Sequence, residues 1–279
     1  MNDSEFKISL ENLIKIYGDK PRTALKLFRE GKTRDDILHL TNHVVSIADI
    51  SLKIKQGELF VIMGLSGSGK STLVRCINRL IKPTSGHVYI DGEDIVHVSE
   101  RRMREIRLHK ISMVFQQFGL FPHKSVVGNV EYGLKMQGIP KEKRSQKSLQ
   151  TLAKVGLEQW ADRLTTDLSG GMQQRVGLAR ALATDAEILL MDEPFSALDP
   201  LIRREMQQEL LQLHKELQKT IIFISHDIHE AFKIGDRIGI MKEGRIVQIG
   251  TSKTIINQPA NDYIRAFLQD IYDAKNILQ

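Results

Sequence analysis

Cysteine is nearly absent. Cys76 is the only one in 279 residues, so no intrachain disulfide can form. A lone thiol in a helical, apolar stretch reads as a small buried hydrophobe. Long apolar runs are missing too. No stretch approaches the ~18 consecutive apolar residues of a membrane-spanning helix, and the first residues lack the apolar core of a secretory signal. The chain is therefore expected to stay in the cytosol. No block of like charges marks a nucleic-acid-binding tail, and a formal charge of +6, from 40 basic and 34 acidic residues, is mild. No nucleic-acid partner is expected, and no internal repeat is evident. What is present is 41% hydrophobic residues, enough for a packed core, in a length that suits one large domain or two small ones.

Residues 7–16 read as a strand of imperfect alternation, closed by Tyr17 and Gly18. Between 20 and 40 the pattern turns helical. Pro21 suits a first turn, Ala24, Leu25 and Phe28 recur at helical spacing, Gly31 interrupts, and Thr33 to Asp36 has the form of a helix cap. Further strands are predicted over 44–54, 59–63, 87–90, 111–115, 187–191 and 220–224, with a hairpin of 237–241 and 245–249 around Glu243 and Gly244. Helices are predicted over 71–81 (apolar face Leu73, Ile77, Leu80), 125–137, 141–156, from Gly171 to about 183, and over 200–218, 229–234, 251–256 and 260–275. An unbroken apolar run such as 59–63 marks a strand covered on both faces. Strands alternating with helices argue for an α/β core, and the mostly helical stretch near 100–180 for an inserted subdomain.

The run Gly64, Leu65, Ser66, Gly67, Ser68, Gly69, Lys70, Ser71, Thr72 satisfies G-x-x-x-x-G-K-[ST]. Glycines let the backbone curl until successive N–H groups face one anion, and the following helix adds its positive end. Lys70 is placed to reach β and γ phosphates, and the Ser71 hydroxyl to join a Mg²⁺ shell. At glycine usage of ~7%, chance produces this pattern in roughly one chain in a hundred of this length. A buried-strand run before it and a helix after it make a plain Gly/Ser turn the weaker reading.

Residues 188–193 are an apolar strand ending in Asp192 and Glu193. A carboxylate at such a strand end meets a phosphate loop at the sheet's carboxyl edge. Asp192 suits Mg²⁺, mainly through water. Glu193 points differently and suits a base or orienter for an attacking water.

With these residues in view, the chain resembles the ATP-binding cassette superfamily. The decisive match is Leu168, Ser169, Gly170 and Gly171, followed by Gln174 and Arg175. It resembles the family signature, which contacts ATP held by the opposite subunit, so the resemblance implies a homodimer around two ATP·Mg²⁺. It also implies roles for other positions. Gln116 senses the γ phosphate and Mg²⁺. Asp199, in the 196–199 loop, crosses the dimer interface, and helix capping before Pro200 is compatible with that. His226 contacts the γ phosphate and Glu193, and Tyr17 stacks on adenine. The implied fold is a P-loop, RecA-like α/β core with an antiparallel β subdomain and an inserted helical subdomain. The nucleotide-binding core is expected at 1–98 and 183–250 with its helical insert at 20–40, the helical subdomain at 99–182, and C-terminal helices at 251–279.

A narrower resemblance is to ATPases of glycine betaine/proline importers. Residues 60–72, 78–80, 198–203, 234–237 and 259–263 carry it, together with the helical insert after Tyr17 and Gly18. It implies an ATPase on the cytoplasmic face of the plasma membrane, held there by two permease subunits and supplied by an extracytoplasmic solute-binding protein. Exposed positions within 118–138 are the expected docking surface. Choline, carnitine or an amino acid is an alternative cargo, and a non-transport cassette ATPase an alternative class. Pro194 stands where many of these importers have alanine. Many also continue into paired CBS modules, which would begin about where this sequence ends and are not expected within it.

Overall fold

The structure, a computed structural model, describes residues 6–116 and 118–269. The chain divides into two compact units, residues 1–99 with 225–279, and residues 100–224.

In the first unit, β1 (Phe6–Tyr17) and β2 (Val44–Lys55) pair antiparallel. β4 (Ser85–Ile90) lies on the other edge of β1, and the two-residue β5 (Glu93–Asp94) lies outside β4. The imperfect alternation of β1 is a bulge. Its pairing with β2 slips between Leu10 and Leu13, where Asn12 takes a left-handed φ of 46°, a conformation that Asn tolerates better than most residues. The insert forms α1 (Pro21–Arg29) and α2 (Arg34–Thr41). The Thr33 hydroxyl accepts the Asp36 N–H at 3.1 Å, and the Asp36 carboxylate accepts the Thr33 N–H at 3.0 Å. The Thr33 hydroxyl also donates to Asp36 Oδ2 at 2.7 Å, and that bond first, with the Thr33 N–H second, holds the Asp36 carboxyl below its ordinary range. Ala24, Leu25 and Ile37 bury against Ile14, Ile16 and Val45, with Phe28 half-covered, so the insert is seated on the β1–β2 ladder.

Every residue of β3 (Leu59–Met63) is buried. β3 runs parallel to β9 (Arg237–Lys242), which forms a hairpin with β10 (Arg245–Gly250). α3 (Lys70–Ile77) follows β3 and ends sooner than its periodicity predicts. Arg79 takes φ 51° and sends its guanidinium inward to the carbonyls of Ile95 (3.1 Å) and Val98 (2.8 Å). Leu80, assigned to the apolar face, is consequently 51% exposed. Cys76 is fully buried, and burial pushes its thiol up to about 12. Such a thiol is inert at neutral pH. The unit closes with α9 (Ile228–Ile234), α10 (Ser252–Asn257) and α11 (Asp262–Phe267). The predicted continuation of α11 past 269 lies outside the described residues.

The second unit carries α4 (Glu100–His109), β6 (Ile111–Val114), α5 (Val126–Met136), α6 (Lys141–Lys154), α7 (Gly170–Ala183), β7 (Ile188–Asp192), α8 (Pro200–Leu217) and β8 (Thr220–Ser225), which ends at its boundary. β6, β7 and β8 are parallel neighbours, and α5, α6 and α7 pack together. Among the described residues, no helix is long and apolar enough to cross a membrane.

Candidate functional site

In the first unit, the chain leaves buried β3 at Gly64 and enters α3 at Lys70. Two glycines between them are dictated by their surroundings. Gly64 has φ 151°, and a Cβ there would lie 2.2 Å from the Met241 carbonyl oxygen. Gly69 has φ 102°, and its Cβ would lie 2.4 Å from the Ser46 carbonyl oxygen. No L side chain fits either place. Leu65 and Ser66 face solvent, while Ser68 is buried, its N–H donating to the Leu65 carbonyl at 3.2 Å and its own carbonyl accepting the Gly244 N–H at 2.9 Å. Lys70 is buried, and its ammonium donates to the carbonyls of Gly64 (2.8 Å) and Leu65 (3.1 Å). The lysine thus folds back over its own loop, bringing fixed positive charge to a curl of backbone N–H groups at a helix start. That arrangement suits a polyphosphate. Ser71 and Thr72 open the helix beside Lys70.

Tyr17, at the end of β1, has an exposed ring whose hydroxyl lies 3.4 Å from the Thr72 hydroxyl; that hydroxyl also accepts from Ser46 at 3.0 Å. The structure therefore brings Tyr17 beside the phosphate loop. It also reveals a residue that the sequence reading missed. His43 is buried against the turn after Tyr17, where a Cβ on Gly18 would lie 2.3 Å from the His43 ring. Its Nε2 accepts the Lys20 N–H at 3.1 Å, which leaves Nδ1–H to donate to the Thr41 carbonyl at 2.6 Å. One neutral tautomer satisfies both bonds. His43→Ala should weaken ATP binding about five- to tenfold, roughly 1–1.4 kcal/mol, by loosening the turn that carries Tyr17. Binding of inorganic tripolyphosphate, which has no base to stack, should be unchanged. Parallel titrations with the two ligands check this, and equal losses would point to the phosphate loop instead. His226 is exposed in the turn between β8 and α9. Asp227 caps α9 by accepting the N–H groups of His229 (2.8 Å) and Glu230 (3.2 Å). Ser225 donates to Glu230 Oε2 at 2.5 Å, so the residues flanking His226 are fixed.

In the second unit, Asp192 ends β7 at 3% exposure. Glu193 follows in a left-handed conformation, φ 47°, and precedes Pro194. Such a backbone is uncommon for a non-glycine residue and costs on the order of 1–3 kcal/mol. It takes Glu193 out of the alternation of β7, which ends at Asp192. Gln116, just past β6, donates to the Ser196 hydroxyl at 3.4 Å, and Ser196 donates to the Glu193 carbonyl at 3.0 Å. The structure therefore links Gln116 to the acidic pair. Asp199 caps α8, accepting the N–H groups of Leu201 and Ile202, each at 3.1 Å. The capping role is thus present.

Ser169 caps α7, its hydroxyl accepting the Met172 N–H at 3.4 Å. Ser169 and Gly170 are exposed and Gly171 half-exposed, so the positive end of this helix is presented outward. Further along α7, Arg180 donates to the carbonyls of Gly119 (2.6 Å) and Phe118 (3.0 Å). Both of those residues are left-handed, at φ 57° and 54°. Burial lowers the Arg180 pKa from its ordinary value. A single side chain therefore ties the helix of Ser169 to the loop that follows Gln116, a link invisible in the sequence because 61 residues separate its ends. Arg180→Ala should lower kcat for ATP hydrolysis by about tenfold or more with KM changed less than about twofold. Steady-state kinetics check this, and a KM effect alone would contradict it.

A family model described as ABC transporter matches residues 47–196. The glycine betaine transport ATP-binding protein OpuAA of Bacillus subtilis is 54% identical over 271 residues, covering 97% of this chain and 65% of the relative. The glycine betaine/proline betaine transport system ATP-binding protein ProV of Escherichia coli is 53% identical over 276 residues, covering 97% and 69%. The chain thus spans about two thirds of the length of these curated relatives. Among solved structures, the dimer of MJ0796, a bacterial ABC transporter cassette, superposes with a TM-score of 0.75 at 35% identity, covering 88% of this chain and 98% of that one. A post-hydrolysis MJ0796 dimer bound to ADP and Pi gives a TM-score of 0.75 at 34% identity, with the same coverage.

Proposed function

Because this chain belongs to the ABC transporter family and has the P-loop, RecA-like fold of its solved cassettes, we propose that it hydrolyses ATP as a homodimer to energise a solute importer. The observation that carries the reading is the phosphate loop, with Lys70 folded over the carbonyls of Gly64 and Leu65. The MJ0796 cassette, whose dimer binds ADP and Pi after hydrolysis, supports it.

In the proposed dimer, the loop from Gly64 to Thr72 binds the phosphates of one ATP, and Tyr17 stacks on its adenine. Glu193 polarises the attacking water, and His226 and Gln116 sense the γ phosphate. The partner copy contributes Ser169, Gly170 and Gly171 to that phosphate, with Asp199 beside the interface. Ser71, Gln116 and Asp192 offer hydroxyl, amide and carboxylate oxygens, a hard donor set that suits Mg²⁺. When bound, the ion neutralises charge on the β and γ phosphate oxygens. The family, rather than any placement of one unit against the other, assigns both sets of residues to one nucleotide.

OpuAA and ProV are named for betaine transport, and we assign the same cargo class here, glycine betaine, proline or a related compatible solute. Two permease subunits would dock on exposed positions within 118–138, where Tyr132 is partly exposed and its ring lies 4.6 Å from that of Phe121. A solute-binding protein on the far side of the membrane would deliver the cargo. Reconstitution with the adjacently encoded permease and binding protein, followed by ATPase assays over a panel of solutes, tests the proposal. Stimulation by quaternary amines is expected. Stimulation by amino acids alone would overturn the cargo, and no ATP hydrolysis in any arm would overturn the activity.

A further inference from the structure

A second cluster of chemically active side chains lies at the β4–β5 hairpin, and no step of the proposed reaction uses it. The hairpin turns through Asp91 and Gly92, both left-handed at φ 51° and 76°. Lys7 of β1 pairs with Asp91 at 2.7 Å and anchors the turn. Two histidines there converge on one carboxylate oxygen. Asp94 Oδ2 lies 2.8 Å from His87 Nδ1 and 2.7 Å from His97 Nδ1. The other oxygen, Oδ1, accepts the Val96 N–H at 3.0 Å, which fixes the plane of the carboxylate. The His87 ring stacks on Tyr89, with centroids 5.8 Å apart at 22°, and the two imidazole centroids are 5.3 Å apart.

We propose that His87, Asp94 and His97 form a binding site for a divalent first-row transition ion of the zinc type. Two imidazole nitrogens and one carboxylate oxygen are a borderline donor set, which favours Zn²⁺, Ni²⁺ or Cu²⁺ over Mg²⁺ and Ca²⁺. Zinc bonds of about 2.0–2.1 Å place tetrahedral ligand atoms about 3.3 Å apart. One ligand atom from each of the three residues lies within 4.8 Å of the others, so small side-chain rotations reach that spacing without a change of backbone. The histidines are partly exposed, at 45% and 64%, which leaves an entry path and room for water in a remaining position. Glu11 stands directly across from His87 in the β1–β4 register, on the same face of the sheet, and adds negative charge to that face. The only thiol of the chain, Cys76, is buried and does not compete.

The test uses the full chain without a histidine tag and without nucleotide. Zn²⁺ is titrated by calorimetry, and bound metal is counted after dialysis. One saturable Zn²⁺ per chain is expected. His87→Ala, His97→Ala and Asp94→Asn should each weaken it at least about tenfold, while His109→Ala, which alters an exposed histidine elsewhere, should not. Zn²⁺ should raise the Tm of the wild type but not of Asp94→Asn. Circular dichroism and Mg·ATP hydrolysis, both unchanged in His97→Ala, show that the variant is folded. No saturable site in the wild type, or wild-type affinity retained by either histidine variant, would overturn the proposal.

Discussion

Glu193→Gln should bind ATP with near-normal affinity, lose roughly 10²–10⁴ of its hydrolysis rate, and accumulate as an ATP-held dimer. The expectation rests on the junction between β7 and the turn that follows. Asp192 is buried at the strand end, whereas Glu193 is half-buried and turned by its left-handed backbone. The substitution keeps the side chain's size, its backbone and the neighbouring Asp192, and removes only the charge and basicity. Binding depends on the phosphate loop and should survive. Breakdown of the closed state depends on activating water and should not. Steady-state ATPase assays and light scattering with and without ATP decide the matter. Normal turnover with no nucleotide-stabilised dimer would remove Glu193 from the reaction.

The second large effect concerns the start of α7. Ser169→Arg should leave ATP binding by the single chain intact while abolishing hydrolysis and ATP-driven dimerisation. Ser169 is exposed, and its hydroxyl already serves one helix N–H. Losing that cap costs about 1 kcal/mol, too little to unfold a domain of this size. Ser169→Ala removes the cap without the bulk and isolates that term. A complementation experiment gives the stronger reading. A chain carrying Ser169→Arg retains its phosphate loop, and a chain carrying Lys70→Ala retains its signature. Mixed, they build one intact site per heterodimer, so activity should reappear that neither variant shows alone. Mixtures that stay inactive, or loss of nucleotide binding by the Ser169→Arg monomer, would count against a role in trans.

Much of the architecture was legible because local and tertiary preferences agree. The buried runs 59–63 and 220–225 are strands covered on both faces, and their composition says so. The capping box at Thr33 and Asp36 and the proline at the start of α8 mark helix starts through short-range chemistry alone. The phosphate loop was legible for the same reason, since its glycines answer to local backbone geometry. Other features depend on partners far away in sequence. β5 is two acidic residues, too short and too polar to declare itself, and it exists because β4 offers an edge. The early end of α3 reflects buried acceptors at Ile95 and Val98 that draw Arg79 inward. His43 and Arg180 shape the surroundings of Tyr17 and Gln116 through contacts 23 and 61 residues away. Nothing in their own neighbourhoods distinguishes them from ordinary polar residues.

The backbone walls behind Gly64 and Gly69 bear on the thermodynamics of ligand capture. With the Met241 and Ser46 carbonyls at its back, the loop has no room to recede and little conformational freedom to surrender. Its ordering entropy is spent during folding, so a polyphosphate meets a rigid receptor. The heat-capacity change on nucleotide binding should then report only the surface that the ligand itself covers, and association should proceed without a slow loop-closing phase.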